Sequence, residues 1–383
     1  MKALMINLCA YSRTGGMERF NQRIVRSLTE MDGVQARVLS LWDDDCPADL
    51  GEHVAYRGFH CNKIPFLLRF IGELLRFRPD AVLVQHVFFA WLHPLICLLC
   101  PGAEILLFVH GTEVWDRPSP LFRRLVSLAD RIVSVSLYTT SKMAEAYAIP
   151  VSRFHLLQNV FELRDFSSDD AVDLEERFPC LFRVNESTVQ YRLLTVTRLA
   201  DRYKGERETI LALPAILRRF PDTHYYIVGK GPLASALRDL ARKLSVEDHV
   251  HLLGAVTDQE LAKMYGACDV FVMPSKGEGF GIVYLEAAAH RLPAIAGNVD
   301  GSVEAVVDGE TGLCVNPDDV PAIATAVIDL LQDPERRRQM GEKGYRRVVE
   351  SFSHERFHRQ FERILCLRGA SANAGARHTQ PVP

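Results

Sequence analysis

The stretch from Lys276 to His290, KGEGFGIVYLEAAAH, sets two glutamates eight positions apart: Glu278 among glycines, and Glu286 inside a run that is otherwise apolar. An ionised carboxylate flanked by Ile282, Val283, Leu285, Ala287 and Ala288 is costly unless donors pair with it. Three neighbouring loops carry residues suited to an anion: Arg198 and Lys204 in RLADRYKGE, Gly229 and Gly231 in GKGPL, and Gly254 with Val256 in GAVTDQ. Glycines let backbone amides approach an anion, a helix N-terminus adds about half a positive charge, and Arg with Lys neutralises phosphate oxygens. Together they describe a pyrophosphate site, with ribose hydroxyls as the donors that Glu286 needs. The plainer readings are an exposed surface pair for Arg198 and Lys204, and a basic core partner for Glu286.

These loops need a scaffold, and the flanking sequence supplies one. Each follows a short strand-forming run: YRLLTVT, HYYIV, HVHLL and DVFVM, with PAIAG closing the series. An earlier series, KALMINLCA, ARVLSL, AVLVQ, EILLFV, RIVSVS and RFHLLQ, has the same spacing. Its first run is followed by YSRTGGM and a helix from about Glu18 to Met31, whose Phe20, Ile24, Val25, Leu28 and Met31 share one face. Strands alternating with helices predict parallel α/β units, and 383 residues exceed what one core holds. The acidic segment ELRDFSSDDAVDLEERF marks the crossing between two Rossmann-like domains. The expected division is 1–165, a crossing at 166–189, a second domain at 190–350, a terminal helix at 351–368 returning to the first domain, and a disordered tail at 369–383. In such sheets ligands sit outside the carboxyl ends of the strands, where all four loops fall.

Composition narrows the function classes. The chain is 48% apolar and 24% charged with a net charge of -3, which excludes bulk nucleic-acid binding. Nine cysteines without zinc spacing read as reduced thiols in a cytoplasmic protein. The N-terminus reads as a strand, and HVFFAWLHPLICLLC falls short of the roughly 20 residues that span a bilayer.

With these residues on the page, the sequence resembles the retaining GT-B glycosyltransferases that use sugar nucleotides, the group 1 or family 4 type, over most of residues 1 to 365. Glu278 and Glu286 match the family's two glutamates separated by seven residues. Arg198, Lys204 and Gly205 match its basic pair and glycine, and Val228, Gly229, Gly231 and Pro232 match its VGxGP turn. GSVEAVVDGETGLCV resembles its closing segment, whereas Val160 stands where the family usually has the glycine of Asn-Gly-Val. The resemblance implies two Rossmann-like domains facing each other across a cleft. It implies that Glu278 faces the donor sugar, Glu286 binds ribose, and Arg198 and Lys204 hold the diphosphate. The amides of Gly279, Phe280, Gly281 and Ile282 would support the leaving group. TGGME resembles the acceptor-side loop, giving Gly15 and Gly16 a place near the sugar or diphosphate, and His110 in FVHGTEVW matches a strand-end histidine beside the sugar. Whether Glu278 is a nucleophile or positions the sugar is open. With no Asp-x-Asp motif, no metal or other cofactor is expected, the basic pair doing a metal's work.

The implied activity is transfer of a hexosyl unit, with retention, from a nucleoside-diphosphate sugar to a hydroxyl of a glycan or lipid-linked acceptor in cell-surface polysaccharide synthesis. The same architecture serves sugar-nucleotide 2-epimerases, and GKGPLA weakly matches the fingerprint of NAD(P)-dependent oxidoreductases, although no acidic residue ends the next strand. HERFH at 354–358 matches the two-histidine zinc pattern, but lacks a third ligand in sequence and reads as a surface-facing part of the terminal helix. NKIPFLLRFIGELLRF groups Phe66, Leu67, Phe70, Ile71 and Leu74 on one helical face with Lys63, Arg69 and Arg76 outside it. That helix either packs on the first sheet or rests on anionic lipid at the inner face of a membrane.

Overall fold

The apolar runs form two separate parallel sheets in the computed structural model, which describes residues 1–13, 15–44, 50–161, 174–184, 187–188 and 190–366. Of the expected crossing at 166–189, residues 166–173, 185–186 and 189 lie outside these residues, and the expected tail at 369–383 lies entirely outside them. The chain divides into two units. One comprises 1–135, 140–158 and the segment from His354 onward; the other comprises 136–139 and 159–353.

The first unit's sheet uses Lys2–Asn7 (β1), Gln35–Ser40 (β2), Val54–Gly58 (β3), Ala81–Val84 (β4), Glu104–Val109 (β5), Arg131–Ser134 (β6) and Phe154–Leu156 (β7), in the order β3-β2-β1-β4-β5-β6-β7. Its helices are Gly16–Glu30 (α1), Lys63–Arg76 (α2), His93–Leu99 (α3), Pro120–Ser127 (α4) and Leu137–Tyr147 (α5). Leu174–Arg177 (α6) and a hairpin of Arg183–Val184 (β8) and Ser187–Thr188 (β9) follow.

The second unit's sheet runs Tyr191–Val196 (β10), Thr223–Val228 (β11), Val250–Gly254 (β12), Val270–Met273 (β13), Ala294–Gly297 (β14) and Gly312–Val315 (β15), in the order β12-β11-β10-β13-β14-β15. Its helices are Glu206–Arg219 (α7), Ala234–Lys243 (α8), Asp258–Ala267 (α9), Ile282–Ala289 (α10), Ser302–Ala305 (α11), Val320–Gln332 (α12) and Pro334–Ser351 (α13). The last helix, His354–Cys366 (α14), belongs to the first unit.

Every pairing within both large sheets is parallel. Parallel strands covered on both faces read as nearly continuous apolar runs, and β4, β6, β11, β13 and β14 are buried at every residue. Strand order reverses beside β1 and β4 in one sheet and beside β10 and β13 in the other, which opens a crevice at the carboxyl end of each pair. The edge strands β3 and β15 were outside the predicted series. VAYRG carries an arginine and exposes Ala55 and Arg57, and GLCV is only four residues long with one fully buried residue, as edge strands covered on fewer sides are.

Two sequence expectations meet different outcomes here. On α2, Phe66, Phe70 and Leu74 are buried in the first unit's core, while Leu67 stays exposed and Ile71 is half-buried, so the helix does pack on the sheet. The terminal helix corrects its reading as a surface-facing segment. His354, Phe357, Phe361, Ile364 and Leu365 are buried, and the Phe357 ring meets Phe20 of α1 edge-on with centroids 5.5 Å apart. Positions 354, 357, 361, 364 and 365 keep helical period, so the signal was in the sequence, carried by Phe357 within the HERFH match and by Phe361, Ile364 and Leu365 beyond it.

Candidate active site

In the second unit the reversal of strand order places the loop after β10 beside the loop after β13. Lys204, on the first, forms an ion pair with Glu278, on the second; both side chains are mostly buried, at 16% and 13% exposure. Burial alone would push the Lys204 ammonium down, but the Glu278 carboxylate, with Tyr203 and Asp201, more than reverses this and raises it. Lys204 is therefore a fixed cation. Arg198, on the same loop, is exposed.

The glycines let these loops lie against one another. Gly229, at φ +132°, has its would-be Cβ 1.7 Å from the Thr197 carbonyl oxygen, so any side chain would drive the loop after β11 off the loop after β10. Gly281, at φ +88°, is the N-cap of α10, a conformation costly to L side chains. Gly254 ends β12 at φ +75° and Val256 sits half-buried in the loop beyond it. Phe280 is part of the core, its ring meeting Phe352 at 5.6 Å, and Ile282 is buried at the first turn of α10.

Glu286, 4% exposed, lies one turn further along α10. Its Oε2 accepts a hydrogen bond from the Tyr265 hydroxyl at 2.8 Å, so the carboxylate has a phenolic partner from α9, in place of the basic core partner of the plainer sequence reading. The Tyr265 ring stacks on His290, whose Nδ1 donates to the Glu286 carbonyl at 2.8 Å. One aromatic pair thus fixes the carboxylate through side chain and backbone.

Asp300 has no counterpart among the sequence candidates. Fully buried, it accepts from the Glu278 backbone N–H at 2.8 Å and from the Ser302 N–H at 3.0 Å, and Gly301 N–H donates to the Glu278 carbonyl at 2.8 Å. The loop after β14 thereby sets the backbone on which Glu278 sits. Its only sequence signal is Asp-Gly-Ser ahead of a short helix. Glu206, at the start of α7, is 3% exposed, and burial pushes its carboxyl up to about 7 despite the nearby Lys204 charge.

The first unit holds the remaining candidates. Gly15 is the N-cap of α1 and Gly16 its first residue. Asp43, 1% exposed, grips the preceding loop: it accepts from the backbone N–H groups of Ala10 at 2.7 Å and Ser12 at 2.9 Å, from the Cys9 thiol at 2.9 Å and from the Ser40 hydroxyl at 2.8 Å, with the Tyr56 hydroxyl as a further donor. His110 immediately follows β5. Its Nε2 donates to the Gln85 carbonyl at 2.9 Å, which leaves Nδ1 as the acceptor, and burial holds the imidazole neutral by lowering its pKa. The structure thus brings Lys204, Glu278 and the glycine loops together in one unit, and Gly15, Gly16 and His110 belong to the other.

Residues 14–164 match the model described as Glycosyltransferase Family 4, and residues 181–347 match that of Glycosyl transferases group 1. The chain is 35% identical over 314 residues, 76% of this chain and 80% of the relative, to a GDP-mannose-dependent alpha-(1-6)-phosphatidylinositol monomannoside mannosyltransferase of Mycolicibacterium smegmatis. It is 30% identical over 311 residues, 77% of this chain and 78% of the relative, to the enzyme of Corynebacterium glutamicum described as acting on the monoacylated monomannoside. Among solved structures it resembles sucrose-phosphate synthase from Thermosynechococcus elongatus, with TM-score 0.78 at 20% identity over 97% of this chain and 100% of that one. It also resembles Anabaena HepE in complex with UDP, with TM-score 0.76 at 17% identity over 95% and 99%.

Proposed function

The chain belongs to the group 1 glycosyl transferases of glycosyltransferase family 4, retaining enzymes of GT-B fold with nucleotide-sugar donors, and from that premise we propose that it moves a mannosyl unit from GDP-mannose to a hydroxyl of a phosphoinositol-type glycolipid, in the synthesis of cell-surface glycans. The observation that carries this reading is the Lys204–Glu278 pair, which holds a cation suited to a diphosphate against a carboxylate suited to a sugar. The activities of the Mycolicibacterium and Corynebacterium relatives support the choice of base, sugar and acceptor class.

In this proposal the donor's anomeric bond breaks through an oxocarbenium-like state, and the departing diphosphate gathers negative charge. Lys204 and Arg198 neutralise that charge, and the amides of Gly279 to Ile282 at the head of α10 add their dipoles. Glu278 serves the hexose and Glu286 the ribose. Gly15 and Gly16 let the backbone of the first unit approach the substrate, and His110, kept neutral, offers Nδ1 as an acceptor to a sugar hydroxyl.

A lipid-linked acceptor requires approach to a membrane, and the first unit has a surface suited to it. No helix among the described residues is long and apolar enough to cross a bilayer. Ile64 and Leu68 on α2, Phe88 and Trp91 on the 3-10 turn before α3, Leu98 on α3 and Leu121 on α4 are all exposed, on elements that adjoin one another. Lys63, Arg69, Arg76, Arg123 and Arg124 lie on the same helices. Apolar side chains rimmed by cations suit the headgroup boundary of an anionic leaflet, giving peripheral attachment without a span.

The test is transfer from GDP-mannose to vesicle-borne phosphatidylinositol mannosides, with the product's anomeric configuration read by NMR. Transfer with retention is expected. Use of UDP-glucose with no turnover of GDP-mannose would overturn the donor assignment.

A further inference from the structure

We propose that Glu30, His354 and His358 form a site for one divalent transition-metal ion of the zinc class, which clips the terminal helix α14 to the end of α1. His354 and His358 are four apart on α14 and so share a face, and Glu30 is the last residue of α1. His354 Nε2 lies 2.7 Å and His358 Nδ1 3.6 Å from Glu30 Oε2, and one ligand atom from each of the three lies within 4.8 Å of the others. Tetrahedral zinc with bonds of about 2.0–2.1 Å places its ligand atoms roughly 3.3 Å apart. The two distances to Glu30 bracket that value, so the carboxylate stands at ligand spacing from both histidines, and the ion draws the two imidazoles to the same spacing from each other. Two imidazoles and a carboxylate are a donor set zinc favours, with a water completing four-coordination.

The surroundings are those of a held ligand set. Arg26 Nε donates to Glu30 Oε1 at 2.8 Å, which orients the carboxylate and leaves Oε2 toward the histidines. His354 is 4% exposed and packs beside Phe357, whereas His358 and Glu30 keep a path to solvent. Without metal, the proton between His354 and Glu30 holds the two helices together. A metal ion takes that proton's place and adds His358 to the link.

The HERFH match is thus misleading in one respect and informative in another. Its glutamate, Glu355, is 85% exposed and pairs with Arg359 in solvent, so no general base faces the ion and hydrolysis is not the function. The third ligand comes from 324 residues upstream in the chain, out of reach of any local motif. Binding to the folded state alone stabilises it by mass action, so the site strengthens the closure of α14 on α1.

The experiment uses the full chain, stripped with chelator and titrated with zinc chloride by calorimetry, with thermal unfolding followed in parallel. His358→Ala removes one ligand and leaves the buried face of α14 intact, and Glu30→Gln is a second variant should the first fail to fold. The expected result is one zinc equivalent in the wild type, with a raised Tm. That equivalent should weaken by roughly tenfold or more in either variant, and the rise in Tm should disappear. Cobalt in place of zinc should give ligand-field bands without thiolate charge transfer. No zinc binding, equal binding and equal Tm shift in wild type and variants, or a thiolate signature, would each overturn the site. The last two outcomes would place the ion elsewhere, on cysteines or on the His224–His251 pair, whose ring nitrogens are 3.0 Å apart.

Discussion

The Tyr265 hydroxyl donates to Glu286 Oε2 at 2.8 Å, and this bond helps a carboxylate persist inside an apolar helix. A hydrogen bond to a charged group contributes about 1.5–3 kcal/mol, so this one offsets part of the cost of burying the carboxylate. Glu286→Gln keeps an acceptor for Tyr265, so its Tm should stay within a few degrees of wild type while the proposed ribose contact weakens. Calorimetry with GDP should show a roughly tenfold weaker Kd. Normal GDP affinity in Glu286→Gln would remove the ribose assignment and leave the residue a purely structural role.

Lys204 and Glu278 neutralise each other, and a diphosphate must compete for the same ammonium. Lys204→Ala and Arg198→Ala should each weaken GDP binding about tenfold or more, each losing a charge-assisted contact of about 1.5–3 kcal/mol. Glu278→Gln releases the lysine, so GDP should bind at least as tightly as to wild type while kcat falls. The split between binding and turnover is diagnostic. A Glu278→Gln enzyme with wild-type kcat would contradict the assignment of Glu278 to the sugar.

Asp43 anchors the loop ahead of α1, and its protonation should loosen it. Burial pushes this carboxyl up, but donors from Cys9, Tyr56, Ser12 and Ala10 outweigh burial and hold it well below the usual carboxylate range. A depressed folded pKa gives stability that is complete above the unfolded value of about 3.9 and is lost as pH falls toward the folded one. Asp43→Ala should remove that acid-side dependence. It should also cost about 3 kcal/mol or more at neutral pH, because several buried donors lose their acceptor. Denaturant unfolding at pH 7 and at acid pH checks both effects.

Glu206 has the opposite sign. Burial raises its carboxyl to about 7, so the folded state keeps a proton that the unfolded state releases near pH 4.3. Stability should therefore fall as pH rises from about 4.3 through about 7. Glu206→Gln should flatten the profile over that window and be the more stable protein at pH 8. A profile of unchanged slope would show that the carboxylate finds its charge compensated, with the nearby Lys204 as the source.

The parallel sheets were legible because their strands, apart from the edge strands β3 and β15, are short apolar runs, several of them followed by a loop of glycine and charge. The candidate residues on those loops, Arg198, Lys204 and Glu278, were legible for the same reason. What escaped were the partners: Asp43 for the backbone of residues 10–12, Asp300 for the backbone of Glu278, Tyr265 for Glu286 and Glu30 for His354. Each pair is joined only by the folded chain, across 21 residues or more, and nothing local distinguishes a buried aspartate that accepts backbone bonds from one in a surface turn. Helix α2 was ambiguous for a different reason. Its apolar residues exceed what one face can bury, so Phe66 and Phe70 enter the core while Ile64 and Leu68 remain outside.

The path of the chain has a consequence for synthesis. The first unit is left at Gln158 and rejoined at His354, with nearly the whole of the second unit between. On the ribosome, Phe20 on α1 has no Phe357 to meet until the stretch from Asn159 to Ser353 has also been made, so the opening half emerges with one flank uncovered. The second unit, apart from residues 136–139, is an unbroken stretch of chain and can close first. A nascent chain halted before His354 therefore offers an exposed apolar flank to chaperones, and one extended through Cys366 does not.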